Sequence, residues 1–131
     1  MLGDLWSFQG RYRTLHLTWI AFFLTFVVWF NLAPLATTVK ADLGLTVGQI
    51  RTVAICNVAL TIPARVLIGM LLDKFGPRIT YSSILVFSAI PCLLFASAQD
   101  FNQLVVARLL LSIVGAGFVI GIRMVAEWFP P

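Results

Sequence analysis

Four long apolar segments decide what this chain can fold into. They cover residues 17–36, 52–72, 79–98 and 104–126 of the 131, and none contains more than two charged residues. A helix of about 20 apolar residues is long enough to cross the hydrocarbon core of a bilayer. The sequence therefore predicts an all-α membrane protein with four transmembrane helices in a single membrane domain.

Composition and cysteine placement agree with a fold that faces lipid. Hydrophobic residues make up 60% of the chain and charged residues only 11%, whereas a soluble domain carries about 25% charged residues. Cys56 and Cys92 lie inside apolar segments, so we expect buried free thiols. We also expect no metal site and no cofactor.

Basic residues collect on one side of the predicted membrane domain. Short loops make the four helices antiparallel neighbours, which places Lys40 and Arg51 on the sparse side. The five on the richer side are Arg11, Arg13, Lys74, Arg78 and Arg123. Because loops rich in Lys and Arg stay in the cytoplasm, we predict a cytoplasmic N-terminus. These residues are scattered singly, so we expect no nucleic-acid partner.

Arg65 is the one charged residue that falls well inside a predicted span. An arginine near the bilayer centre costs about 2.5–3.5 kcal/mol on insertion scales, so its position calls for a function or a partner. Every fourth residue of this helix is polar or small, and the stripe reads Asn57, Thr61, Arg65, Gly69 and Asp73. We expect the stripe to face a hydrated cavity between helices.

The stripe predicts an anion site rather than a buried ion pair. Arg65 could be an internal strut, but none of the four spans contains an acidic residue to pair with it. The planar guanidinium matches a planar oxyanion bidentately. Pro63 lacks a backbone N–H and leaves the carbonyl of Ala59 without its helical donor, so we expect the helix to loosen there.

The turn between the second and third segments resembles the loop motif of the major facilitator superfamily. Residues 69–78 read GMLLDKFGPR, with Pro77 where that motif has its first basic residue after the second glycine. The resemblance implies that the glycines permit close helix approach and a tight turn, while charged residues form pairs that latch one conformation. The implied gating residues are Gly69, Asp73, Lys74, Gly76 and Arg78.

The fourth segment carries a second, looser resemblance. Arg108 is followed by Ser112, Gly115 and Gly117, as in the helix-4 motif of that superfamily, which adds Arg108 to the implied gating residues. Arg108 and Arg123 lie near the two ends of the segment, so we expect both side chains to snorkel toward the headgroups. Gly117 and Gly121 have the spacing of helix-packing glycines.

The nitrate/nitrite porter branch of the superfamily is the nearest resemblance. It is carried by residues 63–69, PARVLIG, by residues 121–131, GIRMVAEWFPP, and by the aromatic residues before Pro34. It implies helices 1–4 of a 12-helix carrier that transports nitrate or nitrite by alternating access across the plasma (inner) membrane. Arg65 would bind the anion beside the aromatic Phe26 and Trp29, and the polar stripe adds Asn57 and Thr61 to the expected substrate site. The implied partners are the anion, the bilayer and the remaining helices, including a second arginine that this chain lacks.

Other functions are less compatible with these residues. The chain could belong to a carrier for another small anion, or be a membrane subunit that does not transport. A complete four-helix exporter acting as a dimer would need an acidic residue in the first segment, which is absent. His16 is the single histidine, and neither a nucleophile nor paired carboxylates accompany it, so we expect no enzyme.

Overall fold

Residues 7–129 are described by the computed structural model, and their regular structure is helical throughout. Within this range, seven α-helices and one 3₁₀ turn form four consecutive helical runs. Their bounds are α1 Gly10–Trp29, α2 Leu32–Asp42, α3 Val47–Ala59, α4 Thr61–Phe75, α5 Pro77–Ala96, α6 Phe101–Ser112, the 3₁₀ turn Ile113–Ala116, and α7 Gly117–Trp128.

All four runs are long and apolar enough to cross a membrane. They are Gly10–Asp42, Val47–Phe75, Pro77–Ala96 and Phe101–Trp128, called the first to fourth spans below. Three of the predicted segments lie wholly within these runs, while 79–98 extends two residues beyond Ala96. The runs are mostly longer than the apolar segments because a helix can continue past the apolar stretch. The predicted all-α fold with four long apolar helices is confirmed.

The first and second spans are each interrupted near a proline. Phe30 and Asn31 separate α1 from α2, and Leu60 separates α3 from α4. Pro34 and Pro63 stand at the third residue of the helices that follow, where their missing N–H groups end the preceding hydrogen-bond ladder. The loosening expected around Pro63 is confirmed, and the first span breaks in the same way.

The fourth span forms the centre of the bundle. Over half of its apolar stretch, 56%, is buried, compared with 11% for the first span. Its residues enter two separate apolar clusters. Leu111 packs in one cluster with Ile68 and Ile84, whereas Leu104 packs in the other with Leu32. Arg108 lies between Leu104 and Leu111, at the boundary of the two clusters.

Glycines let the fourth span approach the first closely. A Cβ built on Gly117 would lie 3.3 Å from Cγ2 of Thr25, and one on Gly121 would lie 3.2 Å from Cδ2 of Phe22. Both distances are tighter than ordinary contact, so the expected helix-packing role of these glycines is confirmed. Gly76 between α4 and α5 has φ +79°, which a side chain rarely adopts and which provides the expected tight turn.

Candidate functional site

Arg65 lies on α4 with an exposed side chain. Its Cζ is 5.8 Å from the centroid of the Phe118 ring on α7. Among residues 7–129 its guanidinium forms neither a hydrogen bond nor an ion pair, since the one salt bridge in this range joins Arg123 to Glu127. The guanidinium donors of Arg65 therefore remain available to a ligand.

An unbroken row of aromatic rings connects Arg65 to the break in the first span. Centroid distances are 5.8 Å for Phe118–Phe22, 4.7 Å for Phe22–Phe26 and 5.8 Å for Phe26–Trp29. We call Phe22, Phe26, Trp29 and Phe118 the aromatic row. The row connects the predicted site residues Phe26 and Trp29 to Arg65. The connection runs through the intervening rings and not through a direct contact of Phe26 or Trp29 with Arg65.

Sequence reasoning missed two members of this row. Phe118 is the single aromatic residue of the fourth span between Phe101 and Trp128, which was a usable signal. Phe22 precedes Phe26 by one helical turn, so the spacing alone places both on the same face of α1. Phe118 carries the contact with Arg65, and Phe22 joins it to the first span.

Arg108 does not snorkel; that prediction was wrong. Its side chain is fully buried, with 0% of its surface exposed. Nη2 donates to Oδ1 of Asn31 at 2.6 Å, while Nη1 donates to Oδ1 of Asn57 at 3.1 Å and to the carbonyl of Trp29 at 3.4 Å. The guanidinium of Arg108 is therefore held by hydrogen bonds to other groups of this chain. We call Trp29, Asn31, Asn57 and Arg108 the junction.

Neutral groups take the place of a carboxylate around Arg108. The carbonyl of Trp29 is at the C-terminus of α1, where the helix dipole favours a cation. The Phe95 ring centroid is 4.3 Å from Cζ, a cation–π distance. Only Nε of this buried guanidinium lacks a hydrogen-bond partner. These acceptors explain how Arg108 is buried although no acidic side chain lies near it within the described range.

The predicted polar stripe divides into a packed half and an open half. Asn57 is half-buried in the junction, and Thr61 is buried with its hydroxyl donating to the carbonyl of Ser112 at 2.8 Å. The expectation that both face a cavity is not met in this unit, because helix packing satisfies them. Arg65 and Asp73 are exposed and Gly69 is half-buried, and we call these three the open face. Roles for Asn57 and Thr61 in binding substrate stay predictions.

Residues of the loop motif lie at the surface. Asp73, Lys74 and Arg78 are exposed, and none forms an ion pair with any residue from 7 to 129. A Cβ on Gly69 would meet nothing within 4 Å, so the close helix approach implied at Gly69 is not found here. The pairs implied for gating would need partners outside this unit.

The described residues contain neither a disulfide nor a cluster of side chains that could bind a metal ion. Cys56 and Cys92 are free, as expected, although both are half-buried rather than buried. His, Cys, Asp and Glu side chains within residues 7–129 form no cluster of three that could hold a metal ion.

Comparison with known proteins identifies the family. Residues 18–131 match the sequence profile of the Major Facilitator Superfamily. The chain belongs to the Major Facilitator Superfamily. It is therefore an integral, multi-pass membrane protein, and its relatives are transporters rather than enzymes. No solved structure matches the chain.

Nitrate/nitrite transporters are among the relatives of this superfamily member. It is 69% identical over all 131 residues to the nitrate/nitrite transporter NrtP of Picosynechococcus, and 68% identical over the same length to that of Nostoc punctiforme. A probable nitrate/nitrite antiporter of Thermus thermophilus is 33% identical over 92% of the chain. The chain spans about a quarter of the length of these relatives, from 24% to 27%.

Proposed function

We propose that this chain forms the first four helices of a nitrate/nitrite carrier and that Arg65 binds the anion. The observation that carries the proposal is the guanidinium of Arg65, which lies on a transmembrane helix with no hydrogen-bond or ion-pair partner among residues 7–129. Similarity to relatives named nitrate/nitrite transporters supports the choice of anion.

The chemistry of a guanidinium suits a planar anion. Two parallel N–H groups of Arg65 can donate to two oxygens of nitrate or nitrite, and the bonds are strengthened by charge. Phe118 lies on one side of the guanidinium and limits where it can move. Phe26 and Trp29, farther along the aromatic row, would border the anion as the family resemblance implies. A second arginine would come from the rest of the carrier.

Transport would proceed by alternating access. Two halves of a 12-helix carrier rock around a central site, and the exposed charges of Asp73, Lys74 and Arg78 would pair with helices outside this unit in one conformation. Gly69 and Gly76 complete the proposed gating residues of the loop motif. The resemblance implies a gating role for Arg108 as well, but its guanidinium is enclosed in the junction. The excess of Lys and Arg on one side supports a cytoplasmic N-terminus, and we place the carrier in the plasma membrane.

Nitrate uptake tests the proposal directly. The protein assayed is a fusion carrier, in which these 131 residues replace the matching first quarter of the Picosynechococcus transporter. We expect uptake of labelled nitrate into proteoliposomes, and an affinity at least about 30-fold weaker in Arg65→Ala, because truncating one partner of a desolvated charge pair costs about 2–5 kcal/mol. Arg51→Ala, an exposed arginine on α3, is the matched control.

Three outcomes separate this proposal from its alternatives. Unchanged uptake by Arg65→Ala would mean that the anion binds elsewhere. Uptake of another small anion in preference to nitrate and nitrite would favour the broader anion carrier. A fusion carrier that inserts into the membrane but moves no anion would favour a subunit that does not transport.

A further inference from the structure

We propose that Arg108 is a positioning residue for the anion site. Its guanidinium fastens the break in the first span to the second span, and so holds the aromatic row in the position that Arg65 requires. The inference rests on the proposed function, because it concerns the same site. Arg108 itself does not contact the anion: it is fully buried and its donors are directed at the junction.

A single planar cation joins three spans at the junction. Asn31 lies in the break of the first span, and its side chain contacts Arg108 at 2.6 Å. Asn57 lies in the last turn of α3, just before the break of the second span, and contacts Arg108 at 3.1 Å. Arg108 belongs to the fourth span, so its fork sets the relative position of both breaks.

Trp29 and Asn57 are bound to each other as well as to Arg108. Nε1 of Trp29 donates to the carbonyl of Asn57 at 2.9 Å, and Nδ2 of Asn57 donates to the carbonyl of Trp29 at 3.0 Å. The Asn57 amide is thus oriented from both ends, since its oxygen accepts from Arg108. Removing Arg108 would leave the Asn57 amide held from one end only, by its bond to the carbonyl of Trp29, and would so loosen Trp29 at the start of the aromatic row.

The position of Trp29 passes to Arg65 through packed contacts. The Trp29 ring lies against Gly115, where a Cβ would come within 2.8 Å of two ring carbons, and against Phe26 in the aromatic row. Phe118 follows Gly115 by one helical turn and carries Arg65 over its ring. A shift at the junction therefore displaces the surface on which the anion-binding guanidinium lies.

Stability alone does not account for a charged residue here. A buried charge is expensive, and an apolar residue of similar size is often as stable or more so. Arg108 is surrounded by neutral acceptors that suit its two-pronged geometry, which an apolar residue lacks and which a lysine, with the same charge but no planar fork, can replace only in part. A role in fixing positions explains why an arginine suits this place.

The transport experiment compares Arg108→Met, Arg108→Lys and Asn31→Ala in the fusion carrier. We expect Arg108→Met to raise the KM for nitrate about tenfold while kcat changes less than twofold, because misplacing a site weakens binding. Arg108→Lys should recover part of the affinity. Asn31→Ala should raise KM in the same direction, and the double variant should equal Arg108→Met rather than the product of both effects. Arg123→Met, an exposed arginine of the same span, should leave KM unchanged.

A second measurement follows the junction without nitrate. Cys56 is half-buried one residue before Asn57, so its alkylation by N-ethylmaleimide, followed by peptide mass spectrometry, reports on packing there. We expect alkylation several times faster in Arg108→Met and in Asn31→Ala, and unchanged in Arg123→Met. If Arg108→Met does not accumulate, Asn31→Ala carries both measurements, because it keeps the charge.

Each result has one meaning. Faster alkylation with an unchanged KM would show that the junction is only structural and would overturn the inference. A raised KM in Arg108→Met that Asn31→Ala does not share, with alkylation unchanged, would mean that Arg108 meets the anion itself, which overturns it too. An unsubstituted fusion carrier that transports no nitrate, while alkylation responds as expected, would defeat the proposed function and leave the fastening at the junction intact.

Discussion

Arg108 and Arg65 both belong to long apolar spans, yet their surroundings are opposite. Arg108 is fully buried, donates to two asparagine side chains and a carbonyl, and faces the Phe95 ring. Arg65 is exposed, and among residues 7–129 its guanidinium lies over the Phe118 ring without a hydrogen bond or an ion pair. The protein supplies hydrogen-bond acceptors to Arg108. The donors of Arg65 are left open.

The difference between the surroundings of Arg108 and Arg65 indicates two roles within one small bundle, a structural role at the junction and a transport role on the open face. At the junction, every hydrogen bond among the four residues joins one span to another, so changes there should alter folding and the position of neighbouring groups. On the open face, side chains contact little in this unit, so changes there should alter transport and leave the bundle intact. Measuring stability and transport together therefore tests whether the two regions are distinct.

Gly115→Ala gives the largest expected effect on stability. A Cβ at this position would lie 2.8 Å from Trp29 ring carbons and 3.1 Å from Cγ2 of Thr61, so the junction must shift. We expect a loss of about 1–3 kcal/mol, as for an overpacked core, seen as a lower melting temperature in detergent. Gly69→Ala on the open face is the matched control, because its Cβ would meet nothing within 4 Å.

Gly69→Ala should leave the melting temperature unchanged. If it destabilises the fusion carrier as much as Gly115→Ala does, the open face is a packed surface in the complete protein, and the distinction between the two regions is wrong. A Gly115→Ala variant of normal stability would show that the Trp29 ring is free to move, and would weaken the case for a rigid junction.

Asp73→Asn should alter the rate of transport and not its affinity. Asp73 is exposed and unpaired in residues 7–129, so a pair with another helix would form only in one conformation of the carrier. Removing that pair shifts the balance of conformations, and we expect a change of about fivefold in kcat, the low end of conformational coupling. Asp42→Asn, an exposed aspartate at the end of α2, is the control. A changed nitrate KM with unchanged kcat would reverse the roles of Asp73 and Arg65.

The open face was easier to predict from sequence than the junction. Unbroken apolar stretches reveal spans, and a charge in the middle of one, such as Arg65, is visible at once. Pro63 also predicted the break in the second span. The surroundings of Arg108 depend on contacts with Asn57 and Asn31, which lie 51 and 77 residues away in sequence. An arginine near the end of an apolar stretch can snorkel or be buried, and only tertiary packing decides between them.

Phe118→Leu has the smallest expected effect and tests the link between the two regions. Leucine keeps an apolar side chain next to the row but removes the ring face beneath Arg65. A cation–π contact at an exposed site contributes about 0.5–1 kcal/mol, so we expect nitrate KM to rise about two- to fivefold with kcat and melting temperature unchanged. Phe87→Leu on α5 removes a half-buried ring elsewhere and should leave KM unchanged. An unchanged KM in Phe118→Leu would mean that Arg65 is positioned without the aromatic row, and the open face would then be independent of the junction.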